Sequence, residues 1–97
     1  MLLGELRKKT KCTRQSLDRY AQLGLIPFTE NDHGYRIFNK EAIDRVDLIR
    51  ALTKRPFKRD LKEIKEIFEK VSIAQLVERK KDSNKKLLHF LNEHDLL

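Results

Sequence analysis

The chain has 97 residues, with 22 Lys and Arg against 15 Asp and Glu, a formal net charge of +7 and a hydrophobic fraction of 39%, which fits one small basic domain with a modest core. A single cysteine, Cys12, excludes an intramolecular disulfide framework and suits a reducing compartment. Neither a membrane-length apolar run nor a signal-peptide core is legible, so a cytoplasmic protein with no membrane partner is expected.

The charge is uneven. Residues 1–60 hold 14 Lys and Arg against 8 Asp and Glu, whereas residues 61–97 hold 8 against 7. A basic front half suits a polyanion such as nucleic acid or an acidic membrane surface, and equally a solvated basic face. Leu3 to Lys9 reads as a short helix with a basic end, and Thr10-Lys11-Cys12 as a turn. Thr13 is a suitable N-cap for a second helix running to about Leu23. Leu17, Tyr20, Ala21 and, at the margin, Leu23 form its inner stripe; Arg14, Gln15, Asp18, Arg19 and Gln22 face away. Gly24 ends it by tolerating a left-handed backbone.

Two short helices joined by about three residues make a helix-turn-helix. The outer face of the second carries long polar side chains, as a helix entering a major groove requires. Leu25-Ile26-Pro27-Phe28 reads as extended, Thr29 to Gly34 as a turn, and Tyr35-Arg36-Ile37-Phe38 as a strand with Ile37 opposite Arg36 and Phe38. Together they predict a small β-hairpin, a wing beside the recognition helix. Asn39 can cap a third helix with the stripe Ala42, Ile43, Val46, Ile49, Leu52, ending near Lys54 ahead of Pro56. Asp60 and Glu63 predict a capping box for a fourth helix with apolar Leu61, Ile64, Ile67, Phe68 and Val71. Ser72 opens another segment. The polar run from Lys80 to Lys86 leaves the tail as one long helix or two short ones, and Ser83, a capable cap, favours two.

The ordered pieces resemble the MerR family of bacterial transcription regulators. Leu3-Gly4-Glu5-Leu6 is similar to the family's opening helix. Thr13-Arg14-Gln15-Ser16-Leu17, Tyr20 and Leu23-Gly24-Leu25-Ile26-Pro27 resemble its recognition helix and exit. Gly34-Tyr35-Arg36-Ile37-Phe38 resembles its wing, and Ile49-Arg50-Ala51-Leu52 and Leu61 to Ile67 resemble the helices that follow. The likeness spans roughly residues 2–70. It implies a four-helix, two-stranded DNA-binding domain acting as a dimer on a near-palindromic site, often between promoter elements, with activation by distorting the DNA. Arg14 and Arg36 match basic positions that the family uses on DNA, and Tyr35 its wing aromatic. The departures are Asp18-Arg19-Tyr20 in place of Arg-Tyr-Tyr, Lys11 in place of Gly, two extra residues around Pro56–Arg59, and a long dimerisation helix and effector domain that are missing or much reduced. Asp18 would repel phosphate unless it pairs with Arg14 or Gln22 at helical spacing.

The expected fold class is therefore mainly α: a winged helix-turn-helix with a small two-stranded β-hairpin wing and additional C-terminal helices. Residues 1–71 form the DNA-binding domain, and 72–97 a short helical extension. The expected function is a sequence-specific, homodimeric DNA-binding transcriptional regulator, with double-stranded DNA as partner, associated with the nucleoid. Arg14 and Arg36 are its first-choice DNA contacts. Gln15 and Arg19 are second choices, and Tyr35, Lys11 and His33 complete the set. Lys8 and Lys9 add non-specific phosphate attraction. Tyr20 is expected in the core and Cys12 as a buried structural thiol. Leu87, Leu88 and Leu91, with Leu96 and Leu97, form a stripe serving core or dimer contact, with dimer contact favoured. His89 and His94 have no cysteine near them, so no metal ligand set is assigned, and no catalytic group or cofactor is expected. Two other functions fit the same sequence. One is a protein-binding adaptor reusing the fold, which Asp18 and the short tail suggest. The other is an excisionase-like accessory factor that bends DNA.

Overall fold

A computed structural model describes residues 1–97 as two compact units, Met1–Asp47 and Leu48–Leu97. The first unit holds α1 (Leu3–Thr10), α2 (Arg14–Gln22), β1 (Phe28–Glu30), β2 (Arg36–Phe38) and the start of α3 (Glu41–Leu52). The second holds the end of α3, then α4 (Leu61–Lys70), α5 (Ile73–Asp82) and α6 (Asn84–Glu93). This is the mainly α, winged helix-turn-helix class that the hydrophobic periods predict. No helix is long and apolar enough to cross a membrane.

In the first unit the helix ends follow from local chemistry. The Thr13 hydroxyl accepts from the Ser16 backbone N–H and caps α2. Beyond Leu23 the chain turns left-handed at Gly24 (φ 78°). There Gly24 N–H donates to Ala21 and Leu25 N–H to Tyr20, the paired bonds of a Schellman motif. Leu17 and Ala21 are buried, whereas Leu23 stays 40% exposed. Leu25 and Ile26, in the stretch leading to β1, are fully buried core residues. The strands pair antiparallel with Phe28 opposite Phe38, Thr29 opposite Ile37 and Glu30 opposite Arg36, so β1 runs two residues into the predicted turn. Asn31 organises what remains of the turn, its side-chain oxygen accepting from the N–H groups of His33 and Tyr35.

A third backbone segment joins this hairpin. Leu2 bridges Ile37 antiparallel, and Phe38 N–H donates to the Met1 carbonyl at 2.7 Å. Strand β2 is therefore paired on both sides and held to the start of α1. Arg45, from α3, donates to the Leu25 carbonyl at 3.0 Å and to Glu41 at 2.7 Å, which satisfies a backbone acceptor in the α2–β1 connection.

In the second unit Asp60 and Glu63 make the full capping box at the start of α4. Ser72 caps α5, and Ser83 caps α6 by accepting from Lys86 N–H at 3.1 Å. The tail is thus two helices. Leu87 and Leu91 are fully buried within the single chain, whereas Leu88 and Leu96 are half-buried and Leu97 is 39% exposed. An apolar side chain already buried in one chain has little area left to offer a partner, so a contact between copies through this stripe would fall on its partly exposed members.

Candidate nucleic-acid interface

The register of α2 decides which polar side chains meet the wing. Arg14, Asp18 and Gln22 recur at four-residue steps and so share one stripe of the helix. Arg36, at the start of β2, and Tyr35, the residue just ahead of that strand, border the same cleft. With Leu2, Leu3, Gly4 and Gly34, these residues line one open cleft of about 450 Å³. Of the residues singled out in the sequence, the structure brings Arg14, Tyr35 and Arg36 together. Gln15 and Arg19 are exposed on α2 but do not line the cleft, and His33 is exposed at the hairpin tip, its ring 6.3 Å from that of Tyr35.

The electrostatics of the cleft turn on Asp18. Arg36 donates from Nη1 to Asp18 Oδ1 at 3.0 Å, and Arg14 Nε lies 3.7 Å from Oδ2. One carboxylate thus faces two guanidinium groups, one from the recognition helix and one from the wing. Arg36 also lies over the Phe28 ring, 4.7 Å from its centroid, and its side chain is only 29% exposed against 72% for Arg14. The helical pairing with Arg14 is foreseeable from spacing. The pairing with Arg36, eighteen residues away, is not.

A second, shallower groove of about 570 Å³ opens at the helix-turn-helix turn, lined by Gly4, Arg7, Lys8, Lys11, Cys12 and Thr13. Lys11 therefore stands apart from the Arg14–Arg36 cleft, beside two further cations. Cys12 is half-buried in this groove, where a buried thiol was expected. Its place in the turn between two helices leaves one side open. Lys11 keeps the left-handed backbone of the glycine that the resemblance implies there, with φ 57° and ψ 27°. A β-carbon in that conformation costs about 1–2 kcal/mol. Lys11→Gly is accordingly expected to raise stability by up to about 1 kcal/mol, part of the gain being offset by unfolded-state entropy. The same change should weaken polyanion binding. Thermal melts and salt titrations on one preparation test this, and a lower melting temperature would contradict it.

The profile described as MerR HTH family regulatory protein matches residues 1–71. The nodulation protein NolA of Bradyrhizobium elkanii is 37% identical over 68 residues, which are 69% of this chain and 30% of that protein. The mercuric resistance operon regulatory protein of Bacillus cereus is 33% identical over 51 residues, or 52% of this chain and 39% of that one. The chain thus spans well under half the length of either relative. The matched stretch takes in α1, α2 and the hairpin, whose residues line the two grooves, and also α3 and α4, and on that match the chain belongs to the MerR family of helix-turn-helix regulatory proteins.

Proposed function

We propose that the chain is a sequence-specific, DNA-binding transcriptional regulator that acts as a homodimer in the cytoplasm, on the nucleoid. Helix α2 enters the major groove, and the hairpin lies beside it with Arg36 directed into the same groove. Arg14 and Arg36 make the principal contacts. Gln15 and Arg19 read base edges further round the helix. Tyr35, Lys11 and His33 meet phosphate or sugar, with Arg7 and Lys8 adding to the attraction at the turn. Residues 72–97 are a helical extension of the DNA-binding domain, whose half-buried Leu88 is a candidate for a dimer contact. The observation that carries the reading is the convergence of Arg14, Tyr35 and Arg36 from a helix and the hairpin onto one open cleft.

The test is selection of bound sequences from random duplexes, followed by a salt titration. Neutralising three or more phosphates should cost at least about tenfold in affinity between roughly 50 and 200 mM salt. A dimer should enrich two inverted half-sites about one helical turn apart. Salt-independent binding with no enriched sequence would overturn the reading. In that event the adaptor alternative stands, favoured by Asp18, which already neutralises cationic charge on this face.

A further inference from the structure

The ion pairs in the cleft point to a role for Asp18 beyond holding the fold together. We propose that Asp18 is a positioning residue for sequence discrimination: it fixes the wing's Arg36 and restrains Arg14, so that these cations meet base edges in a set geometry and are withheld from phosphates of arbitrary sequence. The proposal rests on the DNA reading above.

Two physical effects converge here. Non-specific affinity comes from mobile cations finding phosphates, each contact releasing counterions. On this face Asp18 Oδ1 already takes the Arg36 Nη1 donor at 3.0 Å, and Oδ2 lies 3.7 Å from Arg14 Nε. A phosphate must displace the carboxylate to take either guanidinium, and the carboxylate, 36% exposed in the same cleft, repels it. A base edge carries no net charge, so the repulsion it meets from the carboxylate is much weaker. Discrimination between bases also needs donors held in a fixed fork, because bidentate contact to guanine O6 and N7 depends on orientation. Arg36 is held on two sides, by Asp18 and by the Phe28 ring at 4.7 Å. Only one of its three nitrogens is bonded to Asp18, so the remaining donors of the fork stay oriented for a ligand. Phe28 is itself fixed by pairing with Phe38 and by a ring contact at 6.0 Å. The restraint on the wing arginine therefore runs through a strand as well as through a helix.

The test uses the full chain with Asp18→Asn, which keeps the shape and removes the charge, and Asp18→Glu, which keeps the charge. Affinities are measured for a selected duplex and for a scrambled one across a salt series. For Asp18→Asn, affinity for the scrambled duplex is expected to rise about threefold or more at low salt. Its salt slope should steepen by about one unit, and the selected-to-scrambled ratio should fall by about tenfold. Asp18→Glu is expected to recover most of that ratio. A merely structural role predicts something else: affinity for both duplexes falling together, with an unchanged salt slope. That result, or no change in ratio and slope, would overturn the proposal while leaving DNA binding intact. Failure of the unsubstituted chain to bind either duplex would instead overturn the DNA reading, and this proposal with it.

Discussion

Replacing both Arg14 and Arg36 by Ala is expected to lower affinity for a selected duplex by at least about thirtyfold, the result of losing two contacts worth about 1–3 kcal/mol each. The single variants should not behave alike. The Arg14 side chain is 72% exposed, and removing it should leave stability within about 0.5 kcal/mol of the parent. Arg14→Ala therefore isolates binding. Arg36 is 29% exposed, paired with Asp18 and lying over Phe28. Arg36→Ala should also cost about 1 kcal/mol of stability, through a cation–π contact and a partly exposed ion pair. Because both arginines meet the one carboxylate, their effects on binding should not add. A double-mutant cycle should give a coupling of about 0.5 kcal/mol or more, whereas independent surface cations would give a value near zero. Binding unchanged in the double variant would remove this cleft from any account of DNA contact.

The parts of this fold that were legible in sequence are those set by neighbours along the chain. Thr13, Asp60, Ser72 and Ser83 each cap a helix by a bond to the N–H three residues on, so residue type and spacing suffice to place them. Gly24 ends α2 for an equally local reason. Contacts between distant segments were not legible. The Asp18–Arg36 pair depends on where the hairpin lies against α2. The pairing of Met1 and Leu2 with β2 involves a segment too short to show any period. Phe57 is 2% exposed yet lies outside every helix and strand, so no stripe announces it. The apolar positions Leu87 and Leu91 were legible as a stripe, but periodicity reports only that a face is apolar, not whether the same chain or a second copy covers it. The site was therefore half legible: Arg14, Tyr35 and Arg36 by type and order, but not the acid that binds two of them.

Phe38→Ala is expected to be the most damaging single substitution in the first unit. Phe38 is 1% exposed and closes the hairpin at the Phe28 pair, with the two ring centroids 6.0 Å apart. Its backbone N–H donates to Met1 and its carbonyl accepts from the Met1 amino group, so the residue joins β1, β2 and the start of the chain. Truncating a buried Phe costs about 3–5 kcal/mol, since transfer energy and cavity add. That is a large fraction of the roughly 5–15 kcal/mol of a typical domain. The melting temperature should fall by more than about 12 °C. Phe38→Leu keeps most of the volume and should cost no more than about 2 kcal/mol. Affinity separates packing from contact. Phe38 is buried and offers no surface to DNA, so Phe38→Leu, measured well below its melting temperature, should bind a selected duplex within about threefold of the parent, a change of under 1 kcal/mol. A drop in melting temperature below about 4 °C for Phe38→Ala would show that the wing is held by its backbone pairing alone.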